Sequence, residues 1–242
     1  MKKILKFFLI LLFAAGLFVS VTFTVIEVTA YNDVFYLKQF EKTGVIKDTG
    51  LDLQQLSIVV DEIQSLFRMQ RDDFFVSVVV DGEYVSIFGE QENFHMIEVR
   101  DLFRFFSLVR YICLAALLVI FIICFFVSRP FSRRLIRYAS AGVLSVLALI
   151  FAAAYFSFDT VFTIFHKLLF NNDLWMFPYD SMLIRILTSE FFVAFGVRTV
   201  IGSVAVYAFL IIISFFGSKK EKAALKSRKA AEQREITAEE SE

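Results

Sequence analysis

Four long runs of apolar residues stand out along this chain of 242 residues. About 20 helical residues are needed to cross the hydrocarbon core of a bilayer, and each run reaches that length. The runs are continuous rather than alternating, which favours helices over the strands of a membrane barrel. The pattern therefore predicts four transmembrane helices, at about residues 4–28, 105–127, 138–158 and 192–216.

The first segment between these runs, residues 31–104, is long enough to hold structure of its own. After an entry loop, apolar positions at helical spacing predict an amphipathic helix over 52–67. A stretch rich in β-branched and aromatic residues then predicts a hairpin over 74–88, with a type I′ turn at Asp81 and Gly82. Because a lone hairpin is marginal in water, we expect it to pack on the amphipathic helix or on the bilayer surface.

The remaining extramembrane pattern is helical. Asn93 is predicted to cap a helix that continues into the second membrane span, which places His95 on its first turn. The segment 159–191 predicts a short interfacial helix carrying His166, followed by a loop with Trp175. The fold class predicted is an all-α polytopic membrane protein, in which four transmembrane helices carry a small α+β extracytoplasmic cap.

Basic residues cluster on one side of this topology, and Lys and Arg beside membrane spans remain in the cytoplasm. They precede the first helix, fill the link between helices two and three, and follow helix four: Lys2, Lys3, Lys6, Arg129, Arg133, Arg134, Arg137, Lys219, Lys220 and Lys222. Both termini are therefore expected to be cytoplasmic. The predicted segments are, in order, 1–30 (tail and helix one), 31–104 (extracytoplasmic α+β), 105–127 (helix two), 128–137 (cytoplasmic basic loop), 138–158 (helix three), 159–191 (extracytoplasmic loop with an interfacial helix), 192–216 (helix four) and 217–242 (charged cytoplasmic tail).

Composition agrees with a membrane protein and narrows its chemistry. Hydrophobic residues make up 58% of the chain and the mean hydropathy is +0.68, which leaves too little polar surface for a soluble domain. The first run exceeds the apolar core of a signal peptide, about 7 to 15 residues, so we expect an uncleaved helix. Cys113 and Cys124 both fall inside helix two. They are expected to be buried thiols, which leaves no cysteine nucleophile on the outer side.

His95 and His166 are the only two histidines, and both fall on the predicted extracytoplasmic side. Imidazole has an ordinary pKa of about 6.5, which suits proton transfer at neutral pH. The sequence has no HExxH or CxxC spacing for zinc and no GxSxG elbow for a serine hydrolase. Four helices without an internal repeat fit a transporter poorly. The residues alone thus indicate a small membrane protein with a candidate two-histidine site.

Three ionisable residues lie inside the predicted spans: Glu27, Arg110 and Arg198. Such residues are costly in lipid and are a functional hypothesis by default. At about 1.5 Å per residue, all three lie at a similar shallow depth in the outer leaflet. Two interpretations stay open: a neutralising cluster, or three side chains that each reach the interface independently.

Two motifs go further, because they resemble the signature of a bacterial family of four-helix membrane proteins. They are "FGEQENFHMIEVRDLF" at 88–103 and "FHKLLFNNDLWMFPYDSMLIRILTSEFF" at 165–192. Both are similar to the lipoprotein intramolecular transacylases, and the resemblance extends to about residue 217. Gln91 and Glu98 stand where the family pattern has Arg and Asp, the Phe pair is loosened to Leu169 and Phe170, and 188–190 lacks the expected proline.

The resemblance implies a reaction. Such enzymes move the sn-2 acyl chain of a diacylglyceryl-cysteine lipoprotein to the α-amino group of the same cysteine, in the bacterial plasma membrane. It implies that His95 and His166 are catalytic, one as general base and the other as general acid or oxyanion donor, with the site on the extracytoplasmic face.

The supporting residues expected are Glu27, Glu98, Arg110, Arg198 and Trp175, with Glu98 orienting or charging His95 from three residues away. The partners implied are diacylglyceryl-modified lipoproteins and membrane lipid; no cofactor, metal or nucleic acid is expected. The alternative is a non-catalytic lipoprotein-binding or envelope-stress membrane protein.

Overall fold

The computed structural model describes residues 3–80, 82–216 and 227. Within these residues the chain forms nine helices and one hairpin. The elements in chain order are α1 (Lys3–Ala30), α2 (Asp33–Thr43), α3 (Val45–Thr49), α4 (Leu53–Phe67), β1 (Ser77–Val80), β2 (Glu83–Ser86), α5 (Glu90–Val127), α6 (Arg129–Phe156), α7 (Phe158–Leu169), α8 (Met182–Ile186) and α9 (Ser189–Phe215).

Four of the described helices, α1, α5, α6 and α9, are long and apolar enough to cross a membrane. They form one bundle in which α1 packs against the other three. The chain segments that connect these four helices form α7 and a small cap. The cap consists of α2, α3, α4, the hairpin and α8. The fold is therefore a helical polytopic membrane protein with a two-stranded sheet, as the hydrophobic pattern predicts.

Helix α5 is continuous from the cap to the far end of the bundle. Its 38 residues span about 57 Å, well beyond the roughly 30 Å of a hydrocarbon core. The charged residues Arg100, Asp101 and Arg104 separate the first turns of the helix from the continuous apolar stretch that follows them.

The predicted N-cap of this helix, Asn93, was wrong. Helix α5 begins after Gly89, whose N–H donates to the Glu92 carboxylate at 2.7 Å. The side chain of Asn93 instead accepts a hydrogen bond from the backbone N–H of Phe74 at 2.6 Å. This bond connects the segment before the hairpin to α5. The glutamate satisfies the N–H of the cap residue itself, whereas an asparagine cap would accept from an N–H inside the first turn.

The residues predicted to form an entry loop form two helices instead, α2 and α3. Gly44 and Gly50 end these helices in the left-handed conformation, with φ of 77° and 75°. One face of α2 buries Phe35, Tyr36 and Phe40 against Phe191 at the start of α9: the Phe191 ring centroid lies 5.5, 5.0 and 5.9 Å from theirs. Tertiary packing therefore stabilises a helix too short to be stable alone.

The amphipathic helix and the hairpin are present where they are predicted. Asp52 caps α4 and forms a capping box with Gln55. Strands β1 and β2 pair antiparallel, with Val80 opposite Glu83. Gly82 has φ of 86°, as the predicted turn requires; Asp81 lies outside the described residues.

The segment 128–137, predicted as a loop, is almost entirely helical. Only Ser128 separates α5 from α6, and Pro130 lies in the first turn of α6, where a missing N–H costs nothing. The predicted charged tail, 217–242, lies outside the described residues except for Ser227.

Helices α1 and α9 approach closely at Gly202. A β-carbon at this position would lie 2.7 Å from Cγ1 of Val25, whereas at Gly196 it would meet nothing within 4 Å. Nearby, the buried Tyr207 hydroxyl donates to the carbonyl of Leu17 at 3.0 Å. A small residue and an interhelical hydrogen bond thus hold two membrane helices together.

Replacing Gly202 by alanine is expected to destabilise the bundle by about 1 to 3 kcal/mol, because helical Val25 has little rotamer freedom to move away. Gly196→Ala, in the same helix, is the matched control and should be neutral or slightly stabilising. Thermal unfolding in detergent measures both. Equal midpoints for the two variants would contradict the close contact.

Candidate active site

The two histidines, separated by seventy-one positions in the chain, lie side by side in the structure. His95 extends from the first turns of α5 and His166 from the last turn of α7. Their ring centroids lie 6.0 Å apart with the ring planes 31° from parallel. Both are buried, at 6% and 7% exposure, so they share one enclosed site.

Aromatic rings surround the pair. His166 stacks on Trp175 at 4.8 Å and on Phe170 at 5.6 Å, and Phe162 lies 4.1 Å away on its own helix. His95 contacts Phe170 at 5.0 Å and the edge of Phe177 at 5.4 Å, all between ring centroids. This aromatic cage lowers the local dielectric and favours uncharged imidazole.

Asn172 holds the loop that carries Trp175. Its side-chain N–H donates to Glu98 at 2.6 Å, its side-chain oxygen accepts from the N–H of Leu174 at 2.9 Å, and its backbone carbonyl accepts from the Trp175 indole at 3.0 Å. Glu98 was expected to act on His95. In the described part of the chain its carboxylate contacts the loop instead, and no hydrogen bond joins it to the imidazole.

A second set of hydrogen bonds joins the same face of α5 to the Trp175 loop. Gln91, one turn before His95, donates from its amide to the carbonyls of Leu174 at 2.9 Å and Met176 at 3.2 Å. Since Gln91, His95 and Glu98 are spaced four and three residues apart, they lie on one side of the helix. The loop is therefore held on both sides of His95.

A buried carboxylate fixes α8 to the start of α5. Glu92 accepts hydrogen bonds from the N–H groups of Gly89 at 2.7 Å and Leu183 at 2.8 Å, and from the hydroxyl of Ser181. These donors satisfy a carboxylate that is only 7% exposed. The result is a rigid frame around the turn of α5 that carries His95.

Backbone contact sets the tautomer of His166. Its Nδ1 lies 2.8 Å from the carbonyl oxygen of Phe162. A carbonyl only accepts, so Nδ1 carries the proton and Nε2 is left with a lone pair. In His95, by contrast, Nδ1 is enclosed and has no hydrogen-bond partner within the described structure.

Both imidazoles have depressed pKa values. Burial, with a smaller effect from His166, lowers the pKa of His95 to about 4. Burial also lowers the pKa of His166, against the hydrogen bond to Phe162, which raises it. Both rings are therefore neutral near pH 7, the state in which a histidine accepts a proton.

The other predicted residues separate into two groups. Glu27 of α1 forms an ion pair with Arg110 of α5, and its second oxygen accepts from the Ser107 hydroxyl at 2.6 Å. Arg198 does not join them. Its guanidinium lies over Phe35 of α2, 5.2 Å from the ring centroid.

Some residues of the site carry no recognisable sequence signal. Phe162, Phe170 and Phe177 are three of 32 phenylalanines, and only the fold selects them. Asn172 lies inside a quoted motif, yet nothing in its type distinguishes it from Asn171. In the ranges 3–80 and 82–216, no three His, Cys, Asp or Glu side chains gather as a metal-binding group.

The fold and this site define a class: integral membrane proteins with four spanning helices and a buried histidine pair beneath a small cap. A family model, described as lipoprotein intramolecular transacylase Lit, matches residues 9–192. The chain therefore belongs to the lipoprotein intramolecular transacylase family, and it is an integral membrane enzyme of that class.

Solved structures agree at the level of the fold. The membrane-integral transacylase Lit from Bacillus cereus superposes with a TM-score of 0.75 at 15% identity, covering 92% of this chain and 100% of the other. Two variants of that protein, each with one histidine replaced, by arginine or by alanine, give 0.71 at 14% identity; they cover 91% and 90% of this chain and 95% and 96% of theirs. Comparison with curated proteins gives no significant match.

The loop contacts predict different effects for two adjacent asparagines. Asn172→Asp places a second carboxylate against Glu98, so like charges should release the loop at a cost of about 1 to 3 kcal/mol. Asn171→Asp adds the same charge at an exposed position and is the matched control. The single tryptophan, Trp175, reports the change: its fluorescence should shift to the red only in Asn172→Asp. Identical spectra would contradict the role of Asn172.

Acidification should destabilise the fold through His95. Its pKa falls from about 6.5 in the unfolded chain to about 4 in the folded one, so the unfolded chain binds more protons between these values. The free energy of unfolding keeps its full value above about pH 6.5. It should fall by about 2 kcal/mol when the pH is lowered to about 5. Thermal unfolding at about pH 7.5 and about pH 5 measures the loss, which should be smaller in His95→Gln. An equal loss in both proteins would contradict it.

Proposed function

We propose that this protein moves the sn-2 acyl chain of a diacylglyceryl-cysteine lipoprotein to the α-amino group of the same cysteine. The observation that carries the proposal is the enclosed imidazole pair, 6.0 Å apart, in a chain of this family. An N–C bond forms, the C–O bond to the glycerol sn-2 position breaks, and one proton passes from nitrogen to the glycerol oxygen. Since amine and ester belong to one molecule, proximity removes the need for a protein nucleophile.

His166 is the base in this proposal. Its Nδ1–H is held by the carbonyl of Phe162, which leaves Nε2 to take the proton from the attacking amine. The resulting imidazolium then returns that proton to the departing glycerol oxygen. One histidine thus serves both half-steps, and the net proton count is unchanged.

His95 is the oxyanion donor. A depressed pKa keeps its ring neutral, and a neutral imidazole N–H donates to the oxygen that becomes negative in the tetrahedral intermediate. The enclosed position of the ring strengthens that hydrogen bond, because water does not compete for it.

The surrounding residues act as support. The rings of Trp175, Phe162, Phe170 and Phe177 offer the acyl chain an apolar wall. Glu98 is a positioning residue that acts through Asn172, and the ion pair of Glu27 with Arg110 sets the height of α5 against α1.

The site is proposed to face the extracytoplasmic side of the bacterial plasma membrane, with both termini in the cytoplasm. Support comes from the basic residues Lys3, Lys6, Arg129, Arg133 and Arg134, which lie at the end of the bundle away from the cap. Basic residues beside membrane spans favour the cytoplasmic side.

Tandem mass spectrometry of a diacylglyceryl lipopeptide incubated with the purified protein tests the proposal. Acyl transfer leaves the total mass unchanged, so the readout is the fragment pattern: an N-acylated cysteine with a monoacylglyceryl group. An unchanged free amine with well-folded protein would contradict the proposal and favour a non-catalytic lipoprotein-binding role.

The histidine variants distinguish the two roles. His166→Ala and His166→Gln should both lose about 10²- to 10⁴-fold in rate, since neither side chain transfers a proton. His95→Ala should lose about 10²- to 10³-fold, whereas His95→Gln keeps an N–H donor and should lose less. Equal loss in His95→Gln and His166→Gln would contradict this assignment, and Asn171→Ala, an exposed neighbour, is the control.

A further inference from the structure

A concave groove lies between α2 and α9, with a volume of about 440 Å³. It is lined by Asn32, Val34, Phe35, Lys38, Gln39 and Arg198. None of these residues belongs to the histidine pair or its aromatic cage, and no step of the proposed reaction uses them.

The body of α9 separates this groove from the histidines. Phe191 faces α2, whereas Phe192 packs on Phe162 of α7, 5.6 Å between ring centroids, next to His166. Arg198 follows Phe191 by seven residues, about two turns, and so lies on the α2 side.

The groove carries two positive charges and no lining carboxylate. No ion pair of the described residues includes Lys38 or Arg198. The acid at the start of the same helix, Asp33, accepts a hydrogen bond from Gln64 of α4. A cation at membrane depth is costly without a partner, so this arrangement favours an anionic ligand.

The position of the groove matches lipid headgroups. Helix α1 ends at Ala30 and α2 begins at Asp33, so α2 lies at the membrane surface on the cap side. Arg198 lies about 14 Å along α9 from its start at Ser189. A ligand that contacts both elements therefore reaches from the headgroup region towards the acyl chains.

The groove also has neutral donors and an apolar rim. The side-chain oxygen of Asn32 accepts from the N–H of Phe35 at 2.8 Å, which leaves its amide N–H groups to donate. Gln39 offers a second amide. Val34 is 72% exposed and supplies apolar surface beside them.

We propose that this groove binds the phosphate of an anionic phospholipid from the cap-side leaflet. The guanidinium of Arg198, stacked on Phe35, presents two parallel N–H groups to phosphate oxygens, and Lys38 adds a point charge. Because no carboxylate lines the groove, a headgroup with its own ammonium has no partner there. Phosphatidylglycerol is therefore favoured over phosphatidylethanolamine.

Native mass spectrometry of the full chain in detergent tests this, with phosphatidylglycerol, phosphatidylethanolamine and inorganic phosphate titrated separately. The double variant Lys38→Gln with Arg198→Gln should bind phosphatidylglycerol at least about tenfold more weakly. The matched control, Lys42→Gln with Arg104→Gln, removes the same charge at exposed positions outside the groove and should bind as the unaltered chain does. Lys38→Arg keeps both charges and leaves the stacked guanidinium of Arg198 in place, so it should retain most of the affinity.

Four results would overturn the proposal. An equal loss in the control variant would show general electrostatic attraction, and equal binding of the two lipids would remove the selectivity for an anionic headgroup. Displacement of the lipid by inorganic phosphate at similar concentrations would assign the groove to free phosphate. If the double variant unfolds, Lys38→Gln alone replaces it: this variant should bind phosphatidylglycerol more weakly at unchanged thermal stability, and unchanged binding would contradict the headgroup contact.

Discussion

The continuity of α5 is the constraint on which the site depends. In lipid every backbone polar group needs a partner, so a spanning helix has no freedom to bend away from its hydrogen-bond pattern. Helix α5 extends this rigidity without a break from Val127 to Glu90, and His95 therefore has a fixed position relative to the bundle. The ion pair between Glu27 and Arg110 joins α5 to α1 within the bundle, and Glu92 holds the first turns against α8.

His166 reaches the same point by a different route. Helix α7 is short and ends within the site, and the imidazole is held by a carbonyl of its own helix and by rings on either side. The loop that supplies Trp175 is in turn tied to α5 through Asn172 and Gln91. One rigid element thus positions both histidines, the first directly and the second through the loop. The same enclosure that sets their geometry removes water and keeps both rings neutral, which links burial to the proposed chemistry.

Secondary structure could be predicted from the sequence where the hydrophobic pattern is strongly periodic. It could not be predicted where contacts between residues distant in the chain stabilise the element. The four spans, the helix capped by Asp52 and the hairpin around Gly82 follow from local patterns, and so does the presence of both histidines on one side. Helix α2 was missed because its stability comes from contact with Phe191, which is distant in sequence. The shared depth of three charged residues left open whether they form a cluster or lie apart. The structure pairs Glu27 with Arg110 and places Arg198 over Phe35, a division that depth alone does not give because it carries no rotation about the helix axis.

The central claim is that the acyl chain moves within one lipoprotein molecule in a site with two neutral histidines. A double-label crossover experiment tests it most directly: one lipopeptide carries heavy isotopes in both the sn-2 acyl chain and the peptide, and an equal amount of unlabelled lipopeptide is mixed with it before the enzyme is added. The account predicts N-acyl products that are either fully heavy or fully light. Products that combine a heavy acyl chain with a light peptide would show transfer between molecules and contradict the account.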